Sequence, residues 1–221
     1  MKLKYSLSME YGTFSMVARC PKTLALGVCV ASGSLAVGSA VPHIEPDLGA
    51  LAVQGYTNYL YGVSGLRLLR EGYSPQEVIE RLLKDDDLRE MRQIIIIDSL
   101  GRRAAFTGNK TPEWKGHIIG EDYVAAGNLL MSSRVLEEMA KTFESSKGEW
   151  FAERLMRALE AGERAGSDRR DSRSAALLVA EKGQIHETRP IINLRVDFHE
   201  EPVKELHRIF EHYKDWLSLL R

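Results

Sequence analysis

The first part of the chain contains short apolar runs whose period of two is typical of β-strands. Residues 13–19 alternate, a turn with Pro21 follows, and residues 27–32 return, which predicts a β-hairpin. Residues 48–54 form a further predicted strand. Residues 41–47, bracketed by two prolines, are predicted to be a loop. The start of the chain is therefore expected to be mainly β-structure.

A continuous apolar run lies in residues 92–98, where Ile94 to Ile97 leave no polar face. A strand of this kind is buried on both sides of its sheet. Residues 99–101 turn the chain into residues 102–107, which completes a second predicted hairpin. Later strands are predicted over residues 123–126, 174–181 and 191–197.

Apolar residues recur at helical spacing between and after these strands. Ser74-Pro75-Gln76-Glu77 has the sequence of a capping box with proline at the first helical position. Gly162 is predicted to end another helix, because glycine favours the left-handed conformation found at helix C-termini. The predicted helices are residues 61–70, the segment from Ser74, residues 132–146, residues 150–161 and a last helix that begins at Pro202.

The order of these elements is strands, two helices, strands, two helices, strands and a helix. Hairpins joined through helix pairs predict an α+β fold in which two antiparallel sheets stack face to face with helices outside. Each sheet then meets a sheet on one face and helices on the other, which explains the isoleucine run. The predicted architecture is a four-layer α-β-β-α sandwich, and an ordinary α+β domain is the alternative.

The composition is that of an ordinary globular protein, since 28% of the 221 residues are charged and 44% are hydrophobic. The net charge of −1 gives no electrostatic reason to expect nucleic acid or a membrane surface as a partner. Cys20 and Cys29 are too few for a disulfide scaffold and fit a reducing compartment. No apolar run reaches the length of a membrane span or a signal peptide. A cytoplasmic protein is therefore predicted.

The step Gly12-Thr13 carries the candidate chemistry of the chain. A threonine inside a chain is a poor nucleophile, but at a chain start its own α-amine can take the hydroxyl proton at neutral pH. Cleavage after Gly12 creates such a start, and glycine has no Cβ to obstruct the cut. The simpler interpretation is that Thr13 is a β-branched residue opening a strand.

Several segments together resemble one bacterial and archaeal family, an uncharacterised group of N-terminal-nucleophile (Ntn) hydrolase-like proteins known as a domain of unknown function. The resemblance covers the chain from about Thr13 to the C-terminal helix. It implies the α-β-β-α sandwich of Ntn hydrolases and supplies no substrate. The segments that carry it are residues 13–19, 26–32, 36–38, 41–42, 52–58, 104–108, 114–117, 127–130 and 166–170.

In that family the threonine usually follows the initiator methionine directly, whereas here twelve residues precede it. Three explanations stay open. Residues 1–12 are a propeptide removed by autocatalytic cleavage, which the glycine before Thr13 favours by its likeness to proteasome β-subunits. The true start lies downstream, for example at Met9, or the nucleophile never becomes free. Residues 13–221 are predicted to be one domain ending in an amphipathic helix.

The oxyanion of an acyl-transfer reaction needs hydrogen-bond donors. Asn128 is the first candidate, Asn58 the second, and the backbone amides around Gly33 and Ser34 the third. Either asparagine is alternatively a turn or cap residue. Ser32 ends the second strand, where related folds place a polar residue near the nucleophile, although its hydroxyl can equally satisfy strand-end backbone.

A polar loop and the strand start after it supply the remaining candidates. Arginine pairs well with carboxylates, so this group can orient the Thr13 amine or clamp a substrate carboxylate; a structural ion-pair network is the alternative. His43 is a candidate for the substrate site, and as a loop histidine it is otherwise a proton carrier or a plain polar residue. The loop and strand candidates are Asp168, Arg169, Arg170 and Ser174.

Together these residues predict an amidohydrolase that cleaves a small-molecule or short-peptide amide with Thr13 as nucleophile. No metal and no cofactor is expected, because histidines lack ligand spacing and the glycine-rich residues 33–39 lack the phosphate-binding pattern. Alternatives are a ligand-binding protein that retains the sandwich and a proteasome-like peptidase. A homodimer through the C-terminal helix is predicted, unless the apolar stripe of that helix packs on its own domain.

Overall fold

The computed structural model describes residues 12–182 and 191–218. The predicted N-terminal extension therefore lies outside the described residues, apart from Gly12. The strands are β1 (Thr13–Arg19), β2 (Leu26–Ser32), β3 (Pro42–Glu45), β4 (Gly49–Gly55), β5 (Arg92–Asp98), β6 (Arg103–Thr107), β7 (Gly116–Ile119), β8 (Tyr123–Asn128), β9 (Ser174–Ala180) and β10 (Ile192–Val196). The helices are α1 (Tyr59–Arg70), α2 (Pro75–Leu83), α3 (Arg134–Ser145), α4 (Phe151–Arg164) and α5 (Pro202–Ser218).

The strands form two antiparallel sheets, which confirms the predicted α+β class. The six-stranded sheet has the order β10-β9-β2-β1-β8-β7, and the four-stranded sheet has the order β3-β4-β5-β6. Both predicted hairpins, β1–β2 and β5–β6, are present. Ser74 begins α2 through the predicted capping box with Glu77. No helix in the described ranges combines the length and apolar character required to cross a bilayer.

The isoleucine run of β5 is buried on both faces, as predicted. Ile95 and Ile97 join an apolar cluster between the two sheets, together with Val17 of β1. Ile94 and Ile96 face the other way and pack in a cluster with residues of α1 and α2. The period of two therefore divides one strand between two cores.

Helices α3, α4 and α5 cover the outer face of the six-stranded sheet. The apolar stripe of α5 is used within the domain, because Val203, Leu206 and Phe210 are buried in the cluster that this face forms. This part of the stripe packs on its own domain, whereas Trp216 further along the helix is 51% exposed, and the homodimer stays a prediction. Cys29 belongs to the same cluster, and burial raises the pKa of its thiol to about 12.

Two predictions about local structure were wrong. Residues 42–45 form strand β3 rather than a loop, since Pro42 sits on a sheet edge where its missing N–H is tolerated. Gly162 does not end α4, which continues to Arg164. A Cβ on Gly162 would lie 2.8 Å from the Met139 Cγ and 3.0 Å from the Phe14 ring. The glycine is therefore required by helix–sheet packing rather than by helix termination.

Replacing Gly162 by valine should lower the free energy of unfolding by roughly 1–3 kcal/mol, because the added carbons overpack a close helix contact. Urea denaturation followed by circular dichroism measures the change. Gly148→Val is the matched control, since a Cβ at Gly148 meets nothing within 4 Å. Equal stability of the two variants would contradict this packing role.

Candidate functional site

A row of polar side chains crosses one end of the six-stranded sheet. Ser174, Ser32, Thr13 and Asn128 lie on the neighbouring strands β9, β2, β1 and β8, in direct register with one another. Each is in phase with apolar residues of its own strand that pack between the sheets, as Thr13 is with Val17. Four predicted site residues therefore meet at the end of the inter-sheet core.

The Thr13 hydroxyl lies beside the carbonyl group of the peptide bond that precedes it. Thr13 Oγ1 donates to Ser32 Oγ at 3.1 Å, and Ser32 Oγ donates in turn to the Gly12 carbonyl oxygen. Ser32 Oγ also accepts a hydrogen bond from the Ser34 N–H at 3.0 Å. The one donor and both lone pairs of the Ser32 hydroxyl are therefore in use, which fixes its orientation.

An ion pair between the buried Asp168 and the partly exposed Arg170 also contacts Gly12. The Asp168 carboxylate accepts hydrogen bonds from the Gly33 N–H at 2.8 Å and from Arg170 Nη2 at 2.8 Å and Nε at 3.1 Å. Arg170 Nη2 also donates to the Gly12 carbonyl oxygen at 3.3 Å. A Cβ at Gly12 would lie 2.3 Å from Asp168 Oδ2, so only glycine allows this approach.

A second polar row, on the four-stranded sheet, faces the first. Gln54, Gln93 and Thr107 are in register on β4, β5 and β6 and in phase with the inter-sheet residues of those strands. Gln93 Nε2 lies 3.0 Å from the Gly116 carbonyl oxygen and 2.9 Å from that of Gly127. Because carbonyl oxygens only accept, these contacts fix which end of the Gln93 amide is nitrogen.

This fixed amide in turn orients Asn128. Gln93 Oε1 accepts hydrogen bonds from Gln54 Nε2 at 2.8 Å and from Asn128 Nδ2 at 2.9 Å. Asn128 Oδ1 consequently points elsewhere, and it is buried without a hydrogen-bond partner among the described residues. Asn128 therefore carries an unpaired acceptor at the position in register with Thr13, and one amide hydrogen remains for the donor role predicted from the sequence.

Gln54 and Gln93 were not identified from the sequence. A signal was present, because Gln54 continues the inward phase of Ala50 and Ala52, and Gln93 continues that of Ile95. A polar side chain at the inward position of a buried strand needs a polar partner. The partners come from other strands, so the pattern alone does not identify them.

Three predicted candidates lie outside the Thr13 cluster. Asn58 is the N-cap of α1, where its side chain accepts the Leu60 N–H at 3.1 Å. The ring of His43 packs against Gly62, and burial lowers the pKa of this histidine. Arg169 donates through Nε and its backbone N–H to the carbonyl oxygens of residues 130 and 129. These residues hold local structure together.

The remaining predicted residues form hydrogen bonds that fix the backbone next to the site. The Gly33 and Ser34 amides, predicted as oxyanion donors, already donate to Asp168 and Ser32. Ser174 Oγ donates to the Ser34 carbonyl oxygen at 2.6 Å and accepts the Val37 N–H at 3.0 Å. Ser174 thereby fixes the segment that follows β2.

A cavity of about 360 Å³ opens onto this cluster. Its volume is at the lower end of the range of small-molecule sites, roughly 300–1,000 Å³. Thr13, Ser32 and Ser34 are the three residues of the lining that stand in the hydrogen-bonded Thr13 cluster. The apolar and aromatic part of the lining consists of Leu35, Val37, Ala40, Val41, Tyr56 and Tyr59.

Replacing Gln93 by leucine should lower the free energy of unfolding by roughly 3–5 kcal/mol, because each buried polar group left without a partner costs ~1–3 kcal/mol. Chemical denaturation measures this change. Gln76→Leu, at an exposed position of α2, is the matched control and should differ little from the wild type. A loss below ~1 kcal/mol at Gln93 would show that its partners are satisfied without it.

Similarity to known proteins covers most of the chain. Residues 13–206 match the family described as "Family of unknown function (DUF1028)". The crystal structure of SPO2555 from Silicibacter pomeroyi, described with the same family, is 35% identical with a TM-score of 0.83, covering 93% of this chain and 89% of that one. Anbu (ancestral β-subunit) from Yersinia bercovieri is 11% identical with a TM-score of 0.41, covering 94% and 96%. No curated protein matches the chain. The protein belongs to the DUF1028 family.

Proposed function

We propose that the protein is an Ntn-type amidohydrolase in which Thr13 becomes the nucleophile after cleavage of the Gly12–Thr13 bond. The observation that carries the proposal is the Gly12 carbonyl oxygen, which accepts hydrogen bonds from Ser32 Oγ and Arg170 Nη2 beside the Thr13 hydroxyl. The start of the family match at Thr13 supports the same assignment.

The arrangement of the apolar clusters supports the four-layer α-β-β-α sandwich as the finer description of the fold. One cluster lies between the sheets, and the others lie between each sheet and its helices. In this arrangement Thr13 stands at the end of a strand in the middle of the larger sheet, where neighbouring strands hold its partners rigidly.

The first proposed step is an acyl shift within the chain. Thr13 Oγ1 attacks the Gly12 carbonyl carbon, and Ser32 Oγ takes the Oγ1 proton as it gives its own proton to the Gly12 oxygen. Arg170 Nη2 stabilises the partial negative charge that this oxygen carries in the transition state. The C–N bond then breaks as the carbonyl group re-forms and the proton of its oxygen passes to the Thr13 nitrogen, and water hydrolyses the resulting ester to release residues 1–12.

The second proposed step is turnover of an external amide. The freed Thr13 amine, with an ordinary pKa of roughly 7.7–8.0, takes the Oγ1 proton as Oγ1 attacks the substrate carbonyl carbon. The substrate C–N bond breaks, the amine leaves with that proton, and water hydrolyses the acyl ester on Thr13. The Asp168 carboxylate and Asn128 Oδ1 are the proposed acceptors that hold the protonated amine.

Intact-mass analysis of the purified protein should show the loss of residues 1–12, since the hydroxyl and the carbonyl group already lie together. Thr13→Ala should keep its full mass, whereas Thr13→Ser should still be cleaved because it retains a hydroxyl nucleophile. A wild-type protein that keeps its full mass would overturn the proposal and favour the ligand-binding alternative.

Ser32→Ala should slow the cleavage by roughly 10²–10³, the usual effect of losing one donor to a developing oxyanion. The rate is measured by mass spectrometry at fixed times after synthesis in a cell-free system. Ser39→Ala is the control, because Ser39 is exposed and its hydroxyl donates to the Ala36 carbonyl oxygen. Unchanged cleavage in Ser32→Ala would refute its role.

A further inference from the structure

The cavity beside Thr13 indicates which substrates this site accepts. We infer that the substrate is an N-acyl amide whose acyl group is uncharged and apolar, bound in the cavity that Leu35, Val37, Val41, Tyr56 and Tyr59 line. The inference rests on the proposed function, because it takes Thr13 as the group that receives the acyl chain.

The chemical nature of the lining excludes a site for a charged acyl group. The hydroxyl-bearing residues Thr13, Ser32 and Ser34 mark the end of the cavity where the amide carbonyl would react. The other side chains there are aliphatic or aromatic, apart from Thr57, and no lining residue within the described part of the chain carries a carboxylate, ammonium, guanidinium or imidazole group. An acyl group bound there loses water and gains apolar contact.

Two ion pairs border residues of the cavity lining, and in each of them the opposite charges neutralise one another. Asp168 is paired with Arg170 at 2.8 Å, and Arg170 donates to the Gly12 carbonyl oxygen. Arg92 donates a hydrogen bond to the carbonyl oxygen of the lining residue Tyr56, and it is paired with Asp86 at 2.8 Å. A charged acyl end group would therefore meet no free counter-ion from these two pairs, which is unfavourable to the extent that the cavity takes it out of water.

Three amides of 7-amino-4-methylcoumarin, with hexanoyl, adipoyl and 6-aminohexanoyl groups, test the inference on the wild-type protein. They share a six-carbon acyl chain that ends in a methyl, a carboxylate or an ammonium group. The hexanoyl amide should have a kcat/KM at least about 100-fold above the other two, because the charged ends lose their hydration in the cavity. Equal or greater turnover of a charged amide would overturn the inference.

A change in charge at the cavity edge gives a second readout. Leu35→Arg should move the adipoyl-to-hexanoyl ratio of kcat/KM toward the adipoyl amide by about tenfold, since it supplies the missing counter-ion. Leu100→Arg is the matched control, because Leu100 is similarly exposed (72% against 65%) but lies in the β5–β6 turn. A ratio that does not change in Leu35→Arg would contradict the placement of the acyl chain.

Binding separates this inference from the proposed function. Hexanamide and the monoamide of adipic acid are titrated into the wild-type protein and followed by NMR. Hexanamide binding without hydrolysis of any coumarin amide would overturn the proposed catalysis and leave the apolar ligand assignment standing. Hydrolysis with a preference for charged acyl groups would overturn the inference about the acyl group and leave the proposed catalysis standing. If the protein neither binds hexanamide nor hydrolyses the hexanoyl amide, the inference is overturned.

Discussion

The buried carboxylate of Asp168 is the group on which the arrangement around Thr13 depends. A carboxylate without solvent contact needs hydrogen-bond donors from the protein. Here the donors come from separate parts of the chain, namely the end of β2 and the loop of residues 168–170. Ser167 and Asp171 flank this loop in the left-handed backbone region, with φ of 54° and 61°. The ion pair stabilises a strained loop conformation that places Arg170 against the Gly12 carbonyl oxygen.

The same constraint explains why glycine precedes Thr13. The carboxylate occupies the space that a side chain at residue 12 would require, and it lies close to Gly33 in the same way. Backbone and carboxylate can therefore approach each other without an intervening side chain. Near this contact the inward-facing positions of the strands change from aliphatic to polar, as from Ala126 to Asn128 on β8 and from Ile95 to Gln93 on β5. The two facing polar rows are linked through Gln93, which has contacts with both sheets.

Chemistry and specificity are divided between different elements of the fold. The proposed reacting groups stand on central strands, which hold them in register. The cavity walls come from the segment after β2 and the start of α1, which are peripheral to those strands. Changes in the walls can thus alter the accepted acyl group while the Thr13 cluster stays intact. This division is common where a rigid scaffold carries variable loops.

The sequence by itself determined the elements, since periodicity and capping residues act locally. It predicted β1, β5, the two hairpins and the start of α2, and it singled out Thr13, Ser32, Asn128, Asp168, Arg170 and Ser174. The predictions that Gly162 ends a helix and that residues 42–45 form a loop were wrong. Close packing against Phe14 and pairing at a sheet edge are contacts between distant segments, which a local pattern does not contain. Only the tertiary structure decided that Asn58 and His43 stand apart, that Gln54 and Gln93 orient Asn128, and that Gly12 lies against Asp168. A local pattern carries the phase of a side chain within its strand, whereas its partner is chosen by the register and stacking of strands far away in the chain.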